Sequence, residues 1–143
     1  MLYTPLTKKA LRICFDAHKD QLDKSGLPYV FHPFHLAEQM ETEDEICVAL
    51  LHDVVEDTDI TIDDLRAQGF NANILTAIDL MTHQEGVPYL EYVTRIAPNP
   101  LARKVKIADL HHNSDPTRLD TIIPRDIERA EKYAKALAIL EAE

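Results

Sequence analysis

The residues of this chain best suited to chemistry lie in four places: His32, the run Leu51–Thr58, Asp109 and Asn113. They hold two imidazoles and two carboxylates that could ligate one metal ion, with an acidic pair, Glu56 and Asp57, set to handle a water molecule. Read as one helix, His52, Asp53, Glu56 and Asp57 project within an arc of about 140°. They close the run Ile46-Cys47-Val48-Ala49-Leu50-Leu51, which is apolar nearly all round, as a buried helix is. Ionisable groups in such a place are costly unless paired or bound to metal, and that cost is the first argument for a site. Asp109 shares a helical face with Leu101 and Val105, and Asn113 follows one turn on. Alone, Asp109 reads equally well as a buried carboxylate capping another helix. With His52 and Asp53 it becomes a second helix bringing a carboxylate to meet them.

The elements that must position these groups are helical. The first is expected to begin at Thr4-Pro5, a cap followed by proline, and to run to about Lys19 with Leu6, Ala10, Ile13, Cys14 and Ala17 on one side. Lys24-Ser25-Gly26-Leu27-Pro28 has turn chemistry, and a second helix runs from His32-Pro33 to about Met40. Thr42 with Glu45 forms a capping box for the helix that carries the His-Asp pair. Thr61 with Asp64 opens a short helix stopped at Gly69, and Asn71 caps another to about Met81. After a loop over Thr82–Val87, Pro88 opens a further helix, and Pro98-Asn99-Pro100 punctuates before one reaching about Asn113. The last runs from about Pro124 to the end, its Glu128–Lys132 and Glu131–Lys135 spacings favouring i,i+4 attraction on a solvated face.

At 143 residues the chain is expected to be a single all-α domain, 1–143, with one core; its three glycines agree with helical spacing throughout. The net charge of −10 repels polyanions at long range, which argues against nucleic-acid binding but not against a small phosphorylated ligand held by a local lysine cluster. Cys14 and Cys47 are isolated in apolar stretches without metal-ligand spacing, as reduced, buried thiols are. No signal peptide and no apolar run approaching a membrane span is legible, so the expected setting is cytoplasmic. A homo-oligomer is left open.

Three stretches carry a family resemblance. Ala17-His18-Lys19-Asp20-Gln21 through Lys24-Ser25-Gly26-Leu27-Pro28-Tyr29-Val30-Phe31-His32-Pro33 resembles the first motif of the HD-superfamily hydrolase domain of bifunctional RelA/SpoT proteins. Leu51–Thr58 resembles the second, and Val105-Lys106-Ile107-Ala108-Asp109-Leu110-His111-His112-Asn113 the third. The likeness runs in order from about residue 5 to 140, and the length has no room for a synthetase domain, so the chain is similar to the stand-alone small alarmone hydrolases (Mesh1-like). The resemblance implies an HD-domain helical bundle with a central mononuclear metal site, His32, His52, Asp53 and Asp109 as ligands and manganese as the metal. Two imidazoles and two carboxylates suit Mn, Fe, Co or Zn and leave positions for water and a phosphoryl oxygen, the water acidified by the metal. Glu56 and Asp57 match the acidic pair that orients or deprotonates it, Glu56 being nearer His52 in helical projection, about 40° away. Lys24, Ser25, Asn113 and Arg118 are the candidate substrate contacts.

Two departures stand out: Asp23 precedes Lys24 where the family usually has an arginine that stacks on the base, and Leu110 follows Asp109 where an arginine is common. Asp23 offers neither stacking nor positive charge and adds repulsion, so Asp23→Arg is expected to tighten binding of guanosine tetraphosphate. The expected function is metal-dependent hydrolysis of a phosphorylated nucleotide, (p)ppGpp 3′-pyrophosphate removal by resemblance. The alternatives are another nucleotide as substrate, or a catalytically idle HD domain that binds nucleotide or protein. Of the remaining histidines, His18 could support the site, His35 could approach the metal, His83 is expected in a solvated loop, and His111 or His112 could orient a ligand. Lys104, Lys106 and Arg118 are a candidate phosphate-binding edge.

Overall fold

The computed structural model describes residues 1–142, and among these every regular element is helical. The order is α1 (Pro5–His18), α2 (Phe31–Glu38), α3 (Glu43–Leu51), α4 (Val54–Asp57), α5 (Ile62–Ala67), α6 (Ala72–Met81), α7 (Tyr89–Ile96), α8 (Pro100–Asn113) and α9 (Pro124–Leu140), with a 3-10 turn at Pro116–Arg118. The all-α expectation holds.

The starts of these helices follow local chemistry. Thr4 caps α1 reciprocally with Thr7, Thr42 caps α3 with Glu45, and Thr61 caps α5 with Asp64. Each such pair satisfies two backbone N–H groups that the helix leaves orphaned. Asn71 and Asn99 accept from the first turns of α6 and α8, and proline occupies the first turn of α1, α8 and α9. Gly69 lies just past α5 with φ +99°, a left-handed stop that suits glycine.

α3 is the centre of the bundle. All six residues from Ile46 to Leu51 are fully buried, and α1, α2, α6 and α8 surround the helix. This is why its apolar run shows no polar face. α9 closes the far side against α7 and α8. Cys14 and Cys47 are buried and unbridged, and burial pushes both thiols up to about 12. Among the described residues no helix is long and apolar enough to cross a membrane.

Two features differ from the sequence reading. The helix expected to run unbroken through His52–Asp57 stops at Leu51 and restarts at Val54. Asp53 sits at φ −106°, ψ −2°, the sparsely populated bridge region where functional residues recur. On α9, neither Glu128–Lys132 nor Glu131–Lys135 forms an ion pair among the described residues; Arg129 instead pairs with Asp126 at 3.0 Å, and Lys132 lies 4.5 Å from the Tyr89 ring centroid. The aromatic face of α7 offers Lys132 a cation–π partner that a purely local spacing rule cannot see.

Leu50→Ala, in the last turn of α3 and fully buried, is expected to cost about 2–5 kcal/mol of stability, measured as a fall in the urea midpoint. A change within about 0.5 kcal/mol, the range of surface substitutions, would show that α3 is not the core.

Candidate metal centre and its cavity

His52 follows the last residue of α3 and turns its ring back on the helix end, where carbonyls lack helical partners. Its Nδ1 lies 2.7 Å from the Ala49 carbonyl oxygen. A carbonyl only accepts, so Nδ1 carries the proton and Nε2 presents a lone pair. That Nε2 is buried and has no hydrogen-bond partner. Around it lie Asp53 Oδ2 at 3.1 Å and Asp109 Oδ1, from α8, at 3.4 Å. His32, in the first turn of α2, brings its Nε2 to 2.8 Å from the same Asp109 oxygen. His32, His52 and Asp109 each offer a ligand atom within 4.8 Å of the others, and all three are buried.

Ligands bound at about 2.0–2.2 Å and at right angles lie about 3 Å apart. The spacings of 2.8, 3.1 and 3.4 Å match that requirement, and an orphaned buried nitrogen among carboxylates is what a cation would satisfy. The three grouped donors, His32, His52 and Asp109, therefore fit a divalent metal, with the Asp53 carboxylate 3.1 Å from His52 beside them.

The electrostatics point the same way. Burial alone would raise the Asp109 carboxyl, but the Lys106 ammonium, 2.8 Å from Oδ2, holds it well below the usual carboxylate range. Lys106 is itself buried; burial opposes its charge, and Asp109 overrides that and holds it well above the ordinary lysine value. Burial, followed by the charges of Asp109 and Asp57, pushes the Asp53 carboxyl well above its normal range. Adjacent carboxylates with opposed shifts mark an excess of negative charge. Tyr29 donates its hydroxyl proton to Asp53 Oδ2. His32 is lowered by burial, and its Nδ1 meets His112 Nδ1 at 2.6 Å. Burial and then the Arg118 charge push His112 down to about 4.

Asp53, Glu56, Asp57 and Asp109 open onto a cavity of about 640 Å³ whose walls also carry Lys24, Arg118 and Arg129. Glu56 Oε1 accepts the backbone N–H of His83 at 2.6 Å. Asn113 donates to Asp109 Oδ1 at 3.1 Å and lines the same cavity. Lys24 is lowered by burial and then by the charges of Arg129 and Lys132 on α9, and Arg129 lines the cavity with it.

Asp23 behaves differently from its sequence reading. Oδ1 accepts from Ser25 N–H at 2.9 Å, Ser25 Oγ–H at 2.6 Å and Leu27 N–H at 3.0 Å, and Oδ2 pairs with Arg118 at 3.0 Å. Against the pull of burial, these contacts keep the carboxyl below its usual range. The carboxylate is spent on locking the turn and neutralising Arg118, so it does not stand as free repulsion towards a phosphate. Arg118 also gives Nη1 to the His112 carbonyl at 2.9 Å. Ser25 and Arg118 line the cavity with their polar atoms already engaged.

The other expectations divide. Lys104 does not reach the cavity; it pairs with Glu45 at 2.9 Å, so the three-cation phosphate edge does not form. His35 is exposed and its ring lies 4.2 Å from that of His112, away from the metal donors. His83 is half-buried, not solvated: its Nε2 meets the Val87 carbonyl and its ring stacks on Tyr92. His111 is exposed beside Glu141, and His18 is buried, bonded to Gln21 and edge-on to Tyr29. The sequence reading missed the buried Lys106–Asp109 pair, for which the i,i+3 spacing on one helix face was the available signal. It also missed Arg129 and Tyr133, which only the docking of α9 brings to the cavity.

No family model matches the chain. The MESH1 protein of Danio rerio, named guanosine-3′,5′-bis(diphosphate) 3′-pyrophosphohydrolase, is 31% identical over 123 residues, covering 77% of this chain and 68% of its own length. The chain belongs to the MESH1 family. The Mus musculus MESH1 protein is 35% identical over 69% of this chain and 63% of the relative. A probable GTP pyrophosphokinase of Mycobacterium leprae is 32% identical over 76% of this chain but only 15% of that larger protein. The chain thus spans less than two thirds of these two curated relatives. A solved structure described as a metazoan ortholog of SpoT that hydrolyses ppGpp superposes with a TM-score of 0.79 at 21% identity, over 99% of this chain and 89% of that one. The MESH1-family fold is therefore shared along essentially the whole length.

In this MESH1-family chain Asp23→Arg is expected to set a second guanidinium against Arg118 and to release the 23–27 turn. The loss of charge-assisted hydrogen bonds should cost about 1.5–3 kcal/mol, seen as a lower melting temperature. An unchanged melting temperature together with a lower KM for guanosine tetraphosphate would show that Asp23 acts on the substrate alone.

Proposed function

We propose that this chain is a metal-dependent phosphohydrolase that removes the 3′ pyrophosphate from (p)ppGpp, using one divalent cation, Mn²⁺, held by His32, His52, Asp53 and Asp109. The observation that carries the reading is the buried, unpartnered Nε2 of His52, beside His32 and behind Asp53 and Asp109, carboxylates that line a cavity also presenting Glu56 and Asp57. The printed activities of the MESH1 relatives supply the substrate class.

The metal, when bound, supplies positive charge that polarises a phosphoryl oxygen and acidifies a water. The chain's own residues do the rest. Glu56 is fixed through Oε1 by the His83 N–H, which leaves its other oxygen to take the proton of the attacking water; Asp57 beside it orients that water. The water oxygen adds to the phosphorus bonded to the 3′ oxygen, that P–O bond breaks, and the 3′ oxygen takes up the proton that Glu56 accepted, giving pyrophosphate and the nucleoside 5′-di- or triphosphate. Lys106 fixes Asp109 from the side opposite the imidazoles, and Asn113 bonds the same carboxylate while facing the cavity. Lys24 offers positive charge to the phosphates remote from the reaction, on a wall that Arg129 also lines and that Ser25 and Arg118, engaged with Asp23, hold in shape. A polyphosphorylated nucleotide and two unbridged buried thiols suit a cytoplasmic protein. The water-handling pair has no use in a domain that only binds.

His52→Ala and Asp53→Ala are each expected to lose bound metal and turnover together, measured by elemental analysis and by pyrophosphate release. Either variant retaining stoichiometric metal and full activity would break the ligand assignment. Glu56→Gln should keep the metal and slow turnover by about 10²-fold or more; an unchanged turnover number would remove Glu56 from the chemistry. The substrate is tested by a nucleotide panel with Mn²⁺ saturating. Pyrophosphate release from (p)ppGpp is the expected result, and hydrolysis of a different nucleotide with none from (p)ppGpp would overturn it.

A further inference from the structure

The two candidate metal-binding imidazoles are oriented by unlike partners. His52 is held by a backbone carbonyl, which can only accept. His32 is held by another side chain: its Nδ1 is 2.6 Å from His112 Nδ1. One proton must lie between these two nitrogens, and its owner decides what His32 Nε2 can do. If His32 Nδ1 donates, Nε2 is a lone pair directed among Asp109 and His52. If His112 donates, Nε2 carries a hydrogen, bonds Asp109 Oδ1 and is closed to a metal.

His112 is built to stay in place. Its ring plane lies within 6° of that of His32, which suits a hydrogen bond between ring edges. The His35 ring packs on it at 4.2 Å, and Arg118 bonds its carbonyl at 2.9 Å. Arg118 is in turn anchored by Asp23, so the 23–27 turn and the end of α8 are tied to the ring that meets His32.

We propose that His112 is a positioning residue: its Nδ1 accepts the His32 Nδ1–H and thereby aims the His32 Nε2 lone pair at the metal. This rests on the metal reading of the site and not on the identity of the nucleotide. Partners that fix a ligating histidine through its second nitrogen typically change metal affinity 10–100-fold. The chemistry required of the residue is an acceptor at this spot, not an imidazole as such.

The test is Mn²⁺ affinity, read from free Mn²⁺ by electron paramagnetic resonance in titrations of the full chain without nucleotide. His112→Leu keeps bulk but has no acceptor, and it should weaken binding about 10–100-fold. His112→Asn places an amide oxygen close to where Nδ1 lies, and it should restore most of the affinity. Melting temperatures of the metal-free proteins control for folding. Leu binding as tightly as wild type would overturn the proposal, and so would Asn and Leu weakening it equally, since packing alone would then explain the effect. Wild-type protein that binds no Mn²⁺ would overturn the metal reading and this inference with it. Normal Mn²⁺ binding with no (p)ppGpp hydrolysis would reject only the substrate and leave the role of His112 standing.

Discussion

Asp109 is an ionised carboxylate inside a helical bundle, and keeping it there constrains its neighbours. An isolated buried charge is costly, and a buried pair breaks even only with good geometry and every lone pair engaged. Here Lys106 takes one oxygen, and His32 and Asn113 the other. Those partners come from α2 and α8, and His52 at the end of α3 lies within 3.4 Å. The contacts that join α2, α3 and α8 in the bundle are therefore the same ones that make the carboxylate tolerable. Lys106, three residues back on the same helix, reaches Oδ2 while both imidazoles lie at Oδ1.

The interruption between α3 and α4 follows from the same geometry. A continuous helix would rotate His52 and Asp53 apart by about 100°, whereas their side-chain ends lie 3.1 Å apart at a common centre. Ending α3 at Leu51 frees the Ala49 carbonyl to accept from the His52 ring, and Asp53 in the bridge region turns back towards it. The break also lets Glu56 reach the His83 backbone. A local backbone departure thus turns a helical spacing into a convergent one.

Much of this was legible in the sequence because it is local. Capping boxes, N1 prolines and the glycine stop act within four residues, so the helix starts are readable to within a residue or two. The apolar run 46–51 could only belong to a buried helix, and the His-Asp pair at its end stood out by contrast. What could not be read depends on long-range packing. Nothing near Asp23 indicates that Arg118, 95 residues away, will neutralise it. Lys106 reads as a surface charge until α7 brings Tyr92 to within 5.4 Å of its ammonium. Arg129 lies on a helix whose pattern describes a solvated face, and its placement depends on where α9 docks. The site's donors were visible as residue types; their second partners were visible only in three dimensions.

The balance of charge explains how so acidic a chain could take a polyanion. At a net −10 the surface disfavours approach, but screening limits that to about 8–10 Å at physiological salt. Inside the cavity five carboxylates, Asp23, Asp53, Glu56, Asp57 and Asp109, face four cations, Lys24, Lys106, Arg118 and Arg129. Three of the cations are already committed to carboxylates in ion pairs, with Lys24 the exception among the described residues. Counting Asp126, the partner of Arg129, the metal-free set is negative by two on formal charges, and a divalent cation brings it to neutral. In the proposed reading the metal is therefore required twice, to activate water and to offset the negative charge of the cavity that the phosphates enter.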